Sequence, residues 1–352
     1  MESALKEVYM GHNRSGKIKH LLISTTKELF SKGMGTSKYK MFEESYNRDR
    51  TRQSQVIHSY STENRYERVV ANFSDFLKEE YGLKYERDFR KLTTQELYNY
   101  VDKYFEREKE KGKSESTLKI HISGLCKVLG AIDPEIKKYF DADSRARWRD
   151  GEARGFNDRY NDPEKIVENL SKISETSHAI AQIQRFSGCR VGDVKKVQID
   201  EENKRITIEN SKGGRSRSVY FDYFPQEFEE LKRYKEKLDK ALEERPFSEI
   251  RKEYYHDLRK ACKESGEPYH GSHCFRHEWA QETYKVISQL PQEEQEAFYR
   301  RILEERGKSE KDIEKAMENA REKDCVAEYI ISEELGHSRL DISLHYLKIR
   351  RL

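Results

Sequence analysis

Six residues in the second half of the chain have side chains that could act together on one phosphodiester. Arg190, in Ser-Gly-Cys-Arg-Val-Gly-Asp, and Arg276, in His-Cys-Phe-Arg-His-Glu-Trp-Ala, supply two guanidinium forks. Lys212, in Ser-Lys-Gly-Gly-Arg, supplies an ammonium group, His273 and His337 two imidazoles, and Tyr346 a phenol. When an oxygen nucleophile attacks a phosphodiester, negative charge grows on the non-bridging oxygens. Planar guanidinium forks match that charge in shape and sign without a metal. His273 lies three residues before Arg276, which on a helix puts both on one face, so the two can bond the same phosphate. A phenol ordinarily titrates near about 10. It attacks only if its proton is taken or its phenolate is favoured, and the surrounding cations would do the latter. The leaving 5′ oxygen needs a proton, for which a lysine at a hairpin tip is a suitable general acid.

Each element is ordinary by itself. Arginine after Ser-Gly-Cys is usually a surface residue, Lys-Gly-Gly is usually a turn, and Leu-Gly-His-Ser reads equally well as a helix stop. One tyrosine among 22 carries no weight by type. The force of the set lies in its order and in the local setting of each member. Tyr284 and Tyr329 lack the spacing of Tyr346 from Leu-Gly-His and read as packing residues.

The elements that must hold these groups are mostly helices. Ile18, Leu21, Leu22, Leu29 and Phe30 mark one helix stopped by Gly33, followed by a polar, basic stretch from Ser37 to Gln55. From Ser61 to Phe140 the pattern is a helical module. Tyr66, Val69, Val70, Phe73, Phe76 and Leu77 form one stripe. Thr93 and Glu96 have the form of a capping box ahead of Leu97, Tyr100, Val101, Tyr104 and Phe105. Ser116 opens a third helix, with Leu118, Ile122, Leu125 and Leu129 on one face and Lys119 on the other. Arginines and glycines from Asp143 to Asp162 read as a basic linker, and Asp162-Pro163 as a helix start. Ile206 and Ile208, then Val219 and Phe221, alternate around a turn at Ser211 to Gly214, which places Lys212 at a hairpin tip. The boundaries that follow are an N-terminal extension or arm over 1–55, a helical module over 56–145, a linker over 146–162, and a second domain over 163–352. A charged helical insertion lies near 290–325.

Composition sets the frame. A chain of 352 residues accommodates two or three domains. Charged residues reach 38% against 35% hydrophobic, which would fit a disordered chain, but the tyrosines and 15 phenylalanines recur at helical spacing. The net charge of +3 is too small to announce a nucleic-acid partner, so any positive surface must be local. There is no membrane-length apolar run and no secretory pattern at the start. Five cysteines, with no Cys-x-x-Cys pair, fit neither a zinc site nor a disulfide framework. The expectation is a cytoplasmic protein, nucleoid-associated or, if viral, in the host cytoplasm.

Over residues 163 to 352 the chain resembles the tyrosine recombinase (phage-type integrase) family, and residues 58 to 145 are similar in pattern to its core-binding domain. The resemblance rests on Gly188-Cys189-Arg190-Val191-Gly192-Asp193, on Lys212 in its hairpin, on His273, Arg276, His277 and Ala280, and on Leu-Gly-His with Tyr346 nine residues after His337. It implies a mainly α fold with a small antiparallel sheet, in which a helical core-binding domain and an α+β catalytic domain clamp DNA. It implies catalysis by Arg190, Lys212, His273, Arg276, His337 and Tyr346, with Asp193 bracing the first arginine and His277 in support. Tyr346 would form a 3′-phosphotyrosine and free a 5′-hydroxyl, with no metal, nucleotide or other cofactor. The partners implied are double-stranded DNA at a recombination site and a Holliday junction, a homotetramer, and accessory DNA-bending or directionality factors. Integration or excision of a mobile element is the preferred role. Replicon dimer resolution, type IB topoisomerase-like relaxation and a catalytically silent DNA-binding protein are the alternatives. Arg145, Arg147, Arg149, Lys119, Arg215 and Arg217 are the candidate DNA contacts. Three departures stand out, one being Phe275 and Trp279 in place of the commoner residues of the box, which reads as ordinary core variation. Arg276 and His337 are 61 residues apart, longer than usual and consistent with an inserted, solvated helical hairpin over Gln292 to Lys323. Only six residues follow Tyr346, fewer than the C-terminal helix that many relatives exchange between subunits.

Overall fold

The computed structural model describes residues 16–36, 41, 54–149, 160–211, 214, 216–337, 340 and 346–347. These fall into two compact units that divide after residue 155. The architecture is mainly α with one small antiparallel sheet, as the sequence pattern implies.

The first unit is helical. Helix α1 (Ile18–Gly33) buries Ile18, Leu21, Leu22, Leu29 and Phe30 against α2 (Tyr60–Tyr81), whose own stripe is Val69, Val70, Phe73, Phe76 and Leu77. Residues 18–33 are therefore a wall of this core and not an extension, because the apolar stripe of α1 covers α2 and a later helix. Gly33 is required there: a Cβ would sit 2.1 Å from the Ile57 carbonyl oxygen. A short helix α3 (Glu86–Phe89) leads to α4 (Thr94–Glu110), whose capping box forms as the sequence indicates. Glu96 Oε2 accepts from the Thr93 amide at 2.8 Å, and Thr93 Oγ1 accepts from the Glu96 amide at 3.2 Å. Helix α5 (Glu115–Ile132) buries Leu118, Ile122, Leu125 and Leu129, with Val128 added.

The basic linker begins later than its arginines suggest. Residues Ala142–Arg149 form helix α6, anchored by Trp148, which is 1% exposed. The indole stacks on Phe105 at 4.8 Å and donates Nε1–H to Asp102 at 2.7 Å. One aromatic anchor holds a helix whose other residues are alanines or polar. The rest of the expected linker, and most of the basic stretch from 37 to 55, lie outside the described residues.

The second unit opens with α7 (Pro163–Ile173), capped by Asp162, and α8 (Glu175–Ser187), capped by Ser174. A 3₁₀ turn over Val191–Lys196 precedes the sheet of β1 (Val197–Asp200), β2 (Arg205–Ile208) and β3 (Arg217–Tyr220). The order is β1-β2-β3, all antiparallel, with Ile206 opposite Val219 and Ile208 opposite Arg217. Strand β1 adds an edge that its four residues did not announce. Helices α9 (Pro225–Glu244), α10 (Phe247–Ser265) and α11 (His273–Ile287) complete the main core with α7 and α8.

The insertion forms α12 (Gln292–Glu305) and α13 (Glu310–Glu322), followed by α14 (Val326–Glu334). It is more than a solvated hairpin. Phe298, Tyr299, Ile302, Leu303, Ile313 and Met317 build a separate core with Tyr220 of β3, Ile287 of α11, and Val326, Ala327 and Ile330 of α14. Among the described residues no helix is long and apolar enough to cross a membrane.

Candidate active site

Two backbone turns and one helix face bring the site together. The first turn follows α8. Gly188 ends that helix in the left-handed conformation, φ +56°, and the ring of Trp279 of α11 packs against it. A Cβ there would come within 2.3 Å of the indole, so glycine is required for both reasons. Two residues on, Arg190 starts the 3₁₀ turn, and its side chain remains about a quarter exposed. Asp193 braces it mainly through a hydroxyl. Ser211 Oγ donates to Asp193 at 2.6 Å and accepts from Arg190 Nη1 at 3.3 Å, while the direct Arg190–Asp193 approach is 3.9 Å. Ser211 thereby joins this turn to the hairpin carrying the candidate lysine.

The helix face belongs to α11. His273, His277 and Gln281 follow one another at i, i+4 and i+8, one stripe of the helix. All three meet Tyr346. His273 Nε2 is 2.8 Å from the phenol oxygen, His277 stacks on its ring at 4.3 Å, and Gln281 donates to its backbone carbonyl at 2.9 Å. The Arg276 guanidinium lies 5.5 Å from the ring centroid. Tyr346 itself is 7% exposed.

The second turn is the C-terminus of α14, which leads into Leu335-Gly336-His337. A helix end leaves its last carbonyls without partners. Here each of four finds one. Ser332 accepts from the His337 amide at 2.9 Å, and Glu333 from Arg306, the residue after α12. Glu334 accepts from Arg217 of β3, and Leu335 from Arg276 Nη2 at 2.6 Å. Cations also suit the negative end of the helix dipole. His337 Nε2 then lies 3.4 Å from Arg276 Nη2.

The electrostatics favour an anion. Burial first, then Arg190, pushes the Arg276 guanidinium down to about 10, while Tyr346 pulls the other way. Burial and then Arg276 push Arg217 down to about 9. Both remain cationic at neutral pH. Burial, followed by Arg276, Arg190 and Arg217, holds His337 down to about 3, so it is a neutral imidazole. The buried Glu334 carboxyl is raised to about 8, chiefly by desolvation, and adds little negative charge in return. Arg276 Nε, Arg217 Nε and Arg217 Nη2 are buried with no partner among the described residues. Three mutually repelling guanidiniums, two of them with such donors, make a setting that a bound phosphate would neutralise.

Arg190, Asp193, His273, Arg276, His277, His337 and Tyr346 are thus gathered in one place. Lys212 and Arg215 lie outside the described residues. Of the other candidate DNA contacts, Arg217 is corrected outright: it is 3% exposed, because the β3 alternation turns it inward toward α14. Arg145 also turns inward, donating to the Phe140 carbonyl at 2.6 Å and toward Cys126 Sγ at 3.3 Å. Arg147 pairs with Asp102 at 2.7 Å and Arg149 donates to the Arg145 carbonyl at 2.9 Å. Lys119 is exposed and pairs with Glu115 at 2.6 Å. It lines a surface recess of about 260 Å³ with Thr62, Arg65, Tyr66, Ile120 and Ser123. A larger recess of about 530 Å³ between α7 and α11 is lined by Asp162, Glu164, Glu278 and Glu282, with Arg185, and its carboxylates would repel a phosphodiester.

Sequence reasoning missed Ser211 and Gln281 as parts of the site, and gave Arg217 and Trp279 other roles, a surface DNA contact and core variation. Gln281 had a signal in its i+8 spacing from His273. Arg217 had none, since an arginine at the start of a short strand is ordinarily solvated.

No protein-family description matches the chain, and neither does any curated protein. Among solved structures it is similar to a lambda integrase dimer bound to a COC′ core site. That match has a TM-score of 0.50 and 14% identity, and covers 98% of this chain and 84% of that one. It also matches the crystal structure of XerA recombinase, with a TM-score of 0.34, 15% identity, and coverage of 92% and 94%. With its mainly helical build and small sheet, the chain has the fold of a tyrosine recombinase.

Proposed function

We propose that this chain is a site-specific tyrosine recombinase that cuts and rejoins DNA through Tyr346. The observation that carries the reading is the contact of the Tyr346 phenol with His273 Nε2 at 2.8 Å, beside the Arg276 guanidinium. In the tautomer with Nε2 unprotonated, the phenol donates into the ring, and His273 can take its proton as the oxygen attacks phosphorus. The Tyr346 O–P bond forms and the P–O5′ bond breaks. Arg190 and Arg276 hold the non-bridging oxygens, and His337, kept neutral, adds a hydrogen bond. Lys212 delivers a proton to the leaving 5′ oxygen. The 3′-phosphotyrosine retains the bond energy, so an incoming 5′-hydroxyl reverses the step and rejoins the strand.

Four copies acting on two duplexes through a Holliday junction fit this chemistry, with integration or excision of a mobile element as the role. The recess at Thr62, Arg65, Lys119 and Ser123 would seat backbone phosphates in the first unit. The lambda integrase to which the chain is similar was solved bound to DNA at a core site, which accords with a DNA partner.

The test uses nicked duplexes tiled across the DNA that flanks the coding region, each releasing the 5′-hydroxyl fragment on cleavage. The wild-type chain is expected to accumulate a covalent adduct on at least one duplex, and Tyr346→Phe none while still binding DNA. An adduct that persists in Tyr346→Phe would remove the nucleophile assignment. Relaxation of supercoiled DNA with no exchange between two sites would favour a topoisomerase.

A further inference from the structure

The two turns of the site are clasped twice over, and only one clasp uses a residue already given a role. Arg276 reaches from α11 to the carbonyls of Gly188 and Leu335. Arg217 reaches from β3 to the preceding carbonyl in each turn: it donates Nη1 to Glu334 and lies 3.5 Å from Ser187. Residues 187 and 188 open the turn that presents Arg190, and residues 334 and 335 open the turn that presents His337. Two guanidiniums thus tie the same two loops at adjacent peptides.

We propose that Arg217 is a positioning residue that sets His337, and with it the phosphate-binding end of the site. Contact with the Leu-Gly-His turn is intimate. Gly336 adopts φ +69°, and a Cβ there would stand 3.0 Å from Arg217 Cδ, so the turn is moulded on the arginine stem. The side chain is 3% exposed, which denies it a surface DNA contact. A hydrocarbon could fill the same volume without burying unpartnered Nε and Nη2 donors. The guanidinium is retained for what it holds: the Glu334 carbonyl, one residue before Leu335, whose own carbonyl binds Arg276. Loss of Arg217 would leave the α14 terminus free to move relative to Arg276, separating His337 from the guanidinium 3.4 Å away. An error of about 1 Å at such a site can slow chemistry about 100-fold without weakening binding.

This inference rests on the strand-cleavage reading, and its test separates the two. Arg217→Met and Arg217→Lys are made in the wild-type and His337→Ala backgrounds. Thermal melting, binding to a nicked duplex and single-turnover adduct formation at saturating DNA are then measured. Arg217→Met is expected to bind within about twofold of wild type and to form adduct about 100-fold more slowly. In the His337→Ala background the same change should add almost nothing, because Arg217 acts through His337. Arg217→Lys, which keeps the charge and one donor for the Glu334 carbonyl, should recover part of the rate. Equal losses in both backgrounds, an unchanged rate, or a loss of binding that matches the loss of cleavage would each overturn the assignment. If Arg217→Met loses its cooperative melt, Arg217→Lys carries the same comparison. The His337 imidazole resonance, followed by NMR against pH, needs no activity. It should move in both variants, and if it does not the positioning role is rejected even where the wild-type chain forms no adduct.

Discussion

Gly188→Ala puts the junction between α8 and the Arg190 turn under a measurable load. Two costs add. An alanine held at φ +56° loses about 1–2 kcal/mol relative to its preferred regions. Its methyl would also stand 2.3 Å from Trp279 Cε3 and 2.6 Å from Cδ2, closer than packed carbons tolerate. Since the ring is 6% exposed and hemmed in, moving it is an overpacking problem of about 1–3 kcal/mol. The sum, about 2–5 kcal/mol, is a large share of the roughly 5–15 kcal/mol that stabilises a typical domain. At roughly 2–4 °C per kcal/mol for a unit of this size, the melting midpoint should fall by about 4–20 °C. Denaturant melts of Gly188→Ala, Trp279→Leu and the double variant separate the costs. Shrinking the ring should return the steric part and leave the backbone part, giving a favourable interaction of about 1–3 kcal/mol between the two changes. If the two losses add to within about 0.5 kcal/mol, the ring is not what demands glycine, and the reasoning fails.

Further expectations follow from other parts of the structure. Trp148→Ala should destabilise the first unit by about 3–5 kcal/mol, read from its denaturant midpoint, because it empties the space between Phe105 and Phe140 and takes from Asp102 one of its two donors, Arg147 being the other; a change near zero would return α6 to the status of a linker. The unfolded chain protonates His337 near about 6.5 and the folded chain only at about 3, so the unfolded state gains the proton first as pH falls through that window. His337→Gln should therefore lose less stability than wild type between those pH values, and parallel curves of midpoint against pH would contradict the buried, neutral imidazole. Lys212→Ala should slow release of a normal 5′ oxygen far more than release of a 5′-thiolate, which needs no proton; equal losses would reject the lysine as the acid.

How much of this was legible beforehand divides along physical lines. Signals that act within a few residues survived well. The Thr93–Glu96 box, the Asp162 cap and the alternation at Ile206, Ile208 and Val219 depend on local bonding and periodicity, and each appears in place. Tyr346 could be singled out because its spacing from His337 is a property of one short segment. Roles that depend on tertiary placement were not legible. Trp148 turns a run of arginines into a docked helix through one side chain, which composition outweighs. Charge is a poor guide to exposure in such a polar chain: Arg217 and Arg276 are buried while Arg65 and Arg147 are exposed. The helices α12 and α13 looked solvated because their outer faces are dense with charge, although the opposite faces complete a core with β3 and α14.

The ion pairs around that insertion bear on how the site responds to heat. Arg205 bridges Asp200 and Glu305, and Glu305 also accepts from Tyr220 at 2.8 Å. Arg301 grips Asp222 through both nitrogens, and Arg306 grips Glu333 at the end of α14. Together these ties link β1, β2, the end of β3, α12 and α14. The desolvation penalty on charged groups shrinks as temperature rises, while apolar burial gains nothing further per unit area. The brace behind His337 therefore gains weight with warming relative to the apolar cores of the second unit.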